Sequence, residues 1–96
     1  PPNLVHVLLD NEVHDSTGAQ ATVSPAIDFA SIARACGYPR VSRVDNLDTL
    51  RTALSDRTPG LSFVHVRTQP RANRKLPRPT MTPAEVADRF RGWLRA

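Results

Sequence analysis

Residues 4–9, Leu-Val-His-Val-Leu-Leu, form a nearly unbroken apolar run that stops at Asp10-Asn11. A run apolar at both alternating positions predicts an interior strand of a parallel sheet, covered on both faces. Residues 40–45, Arg-Val-Ser-Arg-Val-Asp, instead alternate polar with apolar, the pattern of a strand with one wet face. That segment is therefore expected at a sheet edge. Residues 61–66, Leu-Ser-Phe-Val-His-Val, are a second strongly apolar strand.

Helical spacing fills the gaps between these strands. Phe29, Ile32, Ala33 and Cys36 recur at i, i+3, i+4 and i+7, which predicts one buried face, with Ser24 or Asp28 as the cap and Pro25 tolerated in a first turn. Gly37 supplies the left-handed stop. Asn46 caps the next helix, whose stripe is Leu47, Leu50 and Leu54, and Pro59-Gly60 closes the connection. Thr82-Pro83-Ala84-Glu85 reads as a capping box with proline at the first helical position, and Val86, Phe90, Trp93 and Leu94 mark the inward face of the last helix.

The order β-α-β-α-β-α, without an internal repeat, predicts a three-layer α/β/α fold with a parallel sheet. The apolar first and third strands belong together, and the half-wet second strand lies outside the third, giving spatial order 1-3-2. Residues 1–96 are then a single domain fragment. This order leaves one side of the apolar first strand unpaired, a liability that something else should cover. The chain is accordingly expected to associate rather than stay a clean monomer.

Composition narrows the function classes. Hydrophobic residues at 40% and charged residues at 23% are those of an ordinary globular protein. A single cysteine, Cys36, permits no intrachain disulfide and fits a reducing, cytoplasmic setting. Cys36 reads as buried packing on its helix face rather than as a nucleophile. No run approaches the about 20 apolar residues of a membrane helix, so no membrane partner is expected. The net charge is +4, with Arg67, Arg71, Arg74, Lys75 and Arg78 clustered in a Pro-rich loop. Such a cluster suits an anion, a nucleic acid or only solvent. Among the basic residues no aromatic side chain offers a stacking platform, so nucleic acid is not the expected partner.

In parallel sheets ligands sit beyond the carboxyl ends of the strands, which singles out the loops opening at Asp10 and Arg67. Neither carries a glycine-rich dinucleotide or phosphate loop. Asp10 and Asn11 offer oxygen ligands for a hard cation, although an Asx pair at a strand end is more commonly a turn. His6 and His65 lie inside strands and read as satisfied core histidines. Phe90 and Trp93 read as core.

The segment Asn3-Leu-Val-His-Val-Leu-Leu-Asp10-Asn11-Glu-Val13-His14-Asp-Ser16-Thr17-Gly18-Ala-Gln20 resembles the corresponding stretch of phosphonopyruvate decarboxylases and the closely similar sulfopyruvate decarboxylases. Residues 27–38 and 78–83 are similar to the same family, so the likeness covers most of the chain. It implies a lyase that uses thiamine diphosphate and magnesium, and a chain that forms the C-terminal half of a thiamine-diphosphate-binding fold. In such enzymes a Gly-Asp-Gly motif holds the magnesium together with an Asn after the next strand and a nearby carbonyl. Asn11 and the carbonyl of Val13 match that Asn and its companion, as metal and cofactor ligands. Beside Asn11, His14 is a candidate proton-handling catalytic group, against the plainer reading of a loop histidine without a role. Ser16 and Thr17, next to Asn11, and the basic Arg71, Arg74 and Lys75 are candidate contacts to the small anionic 2-oxo acid that the resemblance implies.

No Gly-Asp-Gly occurs in these 96 residues. The resemblance also puts the glutamate that activates the cofactor in a separate N-terminal domain. The implied partners are therefore the missing N-terminal domain and first half of the cofactor domain, in a homo-oligomer, with the fragment alone inactive. The implied reaction converts 3-phosphonopyruvate to phosphonoacetaldehyde and carbon dioxide, in phosphonate biosynthesis. The rivals are sulfopyruvate decarboxylation or another thiamine-diphosphate enzyme, a polyanion-binding module using residues 67–78, and a structural interaction module using the bare edge of the first strand.

Overall fold

The computed structural model describes residues 3–70, 77 and 79–96. Three parallel strands form its sheet: β1 (Val5–Asp10), β4 (Arg40–Val44) and β5 (Ser62–Arg67). Their order is β1-β5-β4, so the last strand in sequence is the middle one, as the apolar contrast predicts. Between β1 and β4 lie a two-residue hairpin, β2 (Val13–His14) with β3 (Gln20–Ala21), and helix α1 (Phe29–Ala35). Helix α2 (Leu47–Ser55) links β4 to β5, and α3 (Pro83–Arg95) follows.

In register, Val5, Val7 and Leu9 share a sheet face with Ser62, Val64 and Val66 and with Ser42 and Val44. Helix α2 packs Leu50 and Ala53 against Val44, Val64 and Val66 there. Each buried valine contributes about 1.5–2 kcal/mol, so this small cluster is the centre of stability. On the opposite face, Phe29 of α1 meets the His65 ring edge-on at 5.4 Å, and Tyr38 and His6 pack around Phe63. Helices thus cover both faces of the sheet's centre.

The caps follow the expected chemistry. Asp28, one of the two caps offered by sequence, accepts the Ser31 N–H at 3.0 Å, and Asn46 accepts Thr49 N–H at 2.9 Å. Gly37 takes φ 87° beyond α1, and the Thr82–Glu85 capping box is present at α3. Arg40 clasps the connection into β5, donating to the carbonyls of Pro59 and Gly60 and to Ser62 Oγ.

Burial differs from the expectation in four places. The buried face of α1 keeps Ala33 and the half-buried Phe29 of the assumed stripe and adds Ala30, while Ile32 is exposed and Cys36 is an exposed C-cap. Helix α2 turns Leu50 and Ala53 inward and leaves Leu47 and Leu54 of the expected stripe exposed. His6 is exposed, its Nδ1 bonded to the Tyr38 hydroxyl, since β1 is an outer strand in this chain. Phe90 and Trp93 are 58% and 71% exposed and stack on each other, so the apolar face of α3 has no cover among the described residues.

Candidate functional site at the end of the first strand

The carboxyl ends of β1 and β5 lie side by side, with Asp10 in register with Arg67. Past them, the Thr68 N–H donates to the Asp10 carbonyl, and the Arg67 guanidinium pairs with Glu12. The two loops singled out by sequence are therefore joined at their roots, by one of the basic residues of the cluster. Arg71, Arg74, Lys75 and Arg78 lie outside the described residues.

The chain after Asp10 is shaped by two successive Asx turns. Asp10 Oδ1 accepts the Glu12 N–H at 3.0 Å, and Asn11 Oδ1 accepts the Val13 N–H at 3.3 Å. Between them Glu12 stands at φ 62°, a left-handed conformation that few non-glycine residues adopt. The Asn11 amide donates to Asp15 at 3.0 Å. The hairpin follows: Thr22 N–H donates to Glu12 O and Ala19 N–H to His14 O. Alternation along a strand then turns the Val13 carbonyl to the opposite side from β3.

Asn11, Val13, His14, Ser16 and Thr17 are thus brought together on one hairpin. Asn11 and Val13 are half-buried at its root, and His14, Ser16 and Thr17 are exposed. The Thr17 hydroxyl is engaged inside the hairpin, with Gln20 Oε1 at 3.0 Å. The donor set suits a hard cation in part: an amide oxygen whose one hydrogen bond is long, beside a carbonyl turned out of the hairpin ladder. Among the described residues no group of three or more His, Cys, Asp or Glu side chains forms a metal cluster.

Beneath the hairpin is a feature that sequence reading passed over. Asp10 is buried, and its Oδ2 meets Nε2 of the buried His65 at 3.0 Å. Its Oδ1 also accepts the Ser24 hydroxyl at 2.8 Å. Burial pushes the Asp10 carboxyl up, but the donors Ser24, His65 and Glu12 N–H more than offset this and hold it below its ordinary range. His65 is the satisfied core histidine expected, whereas Asp10 is committed to protein donors rather than open to a cation. No spacing signal marked Asp10 out, since the strand is apolar on both faces and Asp10 shares its face with the exposed His6 and the half-buried Leu8.

A cavity of about 530 Å³ opens beyond β4 and β5, lined by Asp28, Phe29, Arg43, Thr49, His65 and Arg67 among others. The hairpin residues do not line it; it adjoins them through His65 and Arg67. Within it the Arg43 guanidinium, together with Ser31, holds the Asp28 carboxyl well below the usual range.

No protein-family model matches the chain. Its curated relatives are decarboxylases, and across nearly its whole length the chain is homologous to a segment of them. Two are phosphonopyruvate decarboxylases: that of Streptomyces viridochromogenes is 49% identical over 98% of the chain, and that of Streptomyces hygroscopicus 48% over 95%. The beta subunit of the sulfopyruvate decarboxylase of Methanothermobacter thermautotrophicus is 32% identical over 94% of the chain. The chain spans about a quarter of the two Streptomyces proteins, 24% and 23%, and 46% of the archaeal subunit. No helix among the described residues is long and apolar enough to cross a membrane.

Proposed function

We propose that this chain is the C-terminal half of the cofactor domain of a thiamine-diphosphate- and magnesium-dependent decarboxylase that converts 3-phosphonopyruvate to phosphonoacetaldehyde and carbon dioxide. The observation that carries this reading is the near-half identity to two phosphonopyruvate decarboxylases along almost the entire chain. The local chemistry supports it. Asn11 Oδ1 and the Val13 carbonyl are the oxygens that would hold magnesium, neutral ligands that add no charge beside a diphosphate. Bound thiamine diphosphate supplies the electron sink for the departing carbon dioxide.

The chain's own residues orient and neutralise. His14, Ser16 and Thr17, one hairpin turn past Asn11, stand towards the 2-oxo acid, with His14 as the proton-handling group. Arg71, Arg74 and Lys75 supply the positive charge that a multiply anionic substrate requires, guanidinium forks matching phosphonate oxygens. Two magnesium oxygens are half a site, so the activity belongs to the complete cytoplasmic protein, a homo-oligomer, and not to these 96 residues alone. The rest of that protein covers the free side of β1.

The test is Asn11→Ala in the complete protein, titrated with thiamine diphosphate and magnesium while thermal unfolding is followed. A bound ligand raises the midpoint according to its affinity, so the variant should lose most of the cofactor-dependent rise. An undiminished rise would remove Asn11 from the metal site. The sulfonate reading, favoured by the 32% identity to a sulfopyruvate decarboxylase subunit, is separated by comparing kcat/KM for the two 2-oxo acids.

A further inference from the structure

Asn11 follows a strand end, and a strand end alone does not fix a side chain. What fixes it is the residue before. Asp10 is 8% exposed, and its two oxygens are held by three donors from three separate places: His65 on β5, the Ser24 hydroxyl in the turn before α1, and the Glu12 N–H. Ser24 is itself fixed by Thr22, whose Oγ1 lies 2.9 Å from Ser24 Oγ and accepts the Ser24 N–H at 3.2 Å. The far end of the hairpin, from which Thr22 N–H reaches Glu12 O, therefore closes on the same carboxylate. Because Asp10 grips Glu12 N–H, it holds Glu12 in its left-handed turn, and Asn11 is pinned between the strand and that turn.

We propose that Asp10 is a positioning residue for the metal site. Its carboxylate, anchored by His65 and Ser24, sets the direction in which Asn11 Oδ1 and the Val13 carbonyl present themselves to a divalent cation. This rests on the reading of Asn11 and Val13 as magnesium ligands. It assigns Asp10 itself no contact with the metal. Magnesium demands near-ideal octahedral placement of its oxygens, so a ligand pair whose support slackens loses affinity even when both oxygens remain. Partners of this supporting kind are worth about 10–100-fold in metal affinity.

The substitution Asp10→Asn keeps the shape but sets an amide N–H₂ or a lost bond against one of three donors, all of which the carboxylate satisfied. Calorimetric titration of magnesium into the complete protein, with thiamine diphosphate saturating, should show affinity about 10-fold weaker or more. The apo protein's unfolding midpoint should fall, because one buried donor loses its acceptor, while the folded protein's kcat should recover at high magnesium. Ser24→Ala, which removes one anchor on the far side of the carboxylate, should weaken magnesium in the same direction by a smaller factor.

Asn11→Ala in the same titration separates the possible failures. If it weakens magnesium while Asp10→Asn and Ser24→Ala do not, the positioning role falls and the metal site stands. If none of the three weakens magnesium, the metal site itself falls. If Asp10→Asn lowers the apo midpoint and the active fraction but leaves the affinity of the folded fraction unchanged, Asp10 is only a structural group and the proposal is overturned. Should Asp10→Asn fail to fold, Ser24→Ala decides alone: an unchanged magnesium affinity then overturns the proposal.

Discussion

Strands β1 and β5 have nearly the same apolar content, yet they end in opposite situations. Five consecutive residues of β5, Ser62 to Val66, are buried, whereas Val5, Val7 and Leu9 of β1 are 42%, 39% and 68% exposed. The difference is position. β5 has a neighbour on either side and a helix on each face, while β1 has one neighbour and α2 lies over the other two strands. A continuous apolar run thus reports that a strand is to be buried, and leaves open whether its own chain or other residues bury it. Among the described residues β1 keeps one unpaired side and an apolar face that no helix covers.

The largest effect expected is at the centre. Val64, 2% exposed, lies in the cluster with Val44 and Val66, and Val64→Ala should cost about 2–3 kcal/mol in denaturant unfolding of the complete protein. A loss under about 0.5 kcal/mol, the range of ordinary surface positions, would remove β5 from its central role. Next comes Arg40, whose fork satisfies two carbonyls and the buried Ser62 at the start of β5. Arg40→Ala should cost about 1–2 kcal/mol by leaving those acceptors to water, read from the same transition.

The sharpest probe of the contrast is Val7→Ala. If other residues of the complete protein cover β1, the change should cost about 1.5–2 kcal/mol, above the about 1 kcal/mol that a side chain 39% exposed accounts for. A loss of about 1 kcal/mol or less would make β1 a true outer strand. The smallest effect is a pH dependence at α1, which reaches the sheet face beside β5. Asp28 caps α1 and pairs with Arg43, and its folded pKa is depressed from the ordinary 3.8. Its contribution is complete above the unfolded value and is lost as pH falls below 3.8 through the lower folded value. Wild type should therefore lose more stability than Asp28→Asn over that acid range. Equal slopes in unfolding measured against pH would show that the pair with Arg43 contributes nothing.

Strand order, helix starts and the three caps were legible because each rests on local chemistry or on apolar contrast between strands. Helix faces were less so. The seven-residue α1 keeps Ala33 and the half-buried Phe29 of the expected stripe inward but adds Ala30 and exposes Ile32 and Cys36, since so short a helix presents too few turns for spacing to fix its face. At α3 the stripe Val86, Phe90, Trp93 and Leu94 was read correctly as apolar, but its burial depends on a partner surface that sequence spacing does not specify. Asn11, Val13, His14, Ser16 and Thr17 were legible as one loop. The buried Asp10–His65 contact joins residues 55 apart in sequence and needed the register of β1 on β5 to appear. The left-handed Glu12 had no compositional signal at all.

The position of β5 between its neighbours also fixes an order of events during synthesis. Val5 finds its partner at Ser62, and Arg40 finds its own at the same residue, so neither flanking strand has a ladder to join until the chain has been made past residue 62. Until then neither flanking strand has its partner within these residues. Closing this three-stranded ladder joins Val5 to Ser62, 57 residues apart, so it is a late event of long-range contacts, slow by its topology.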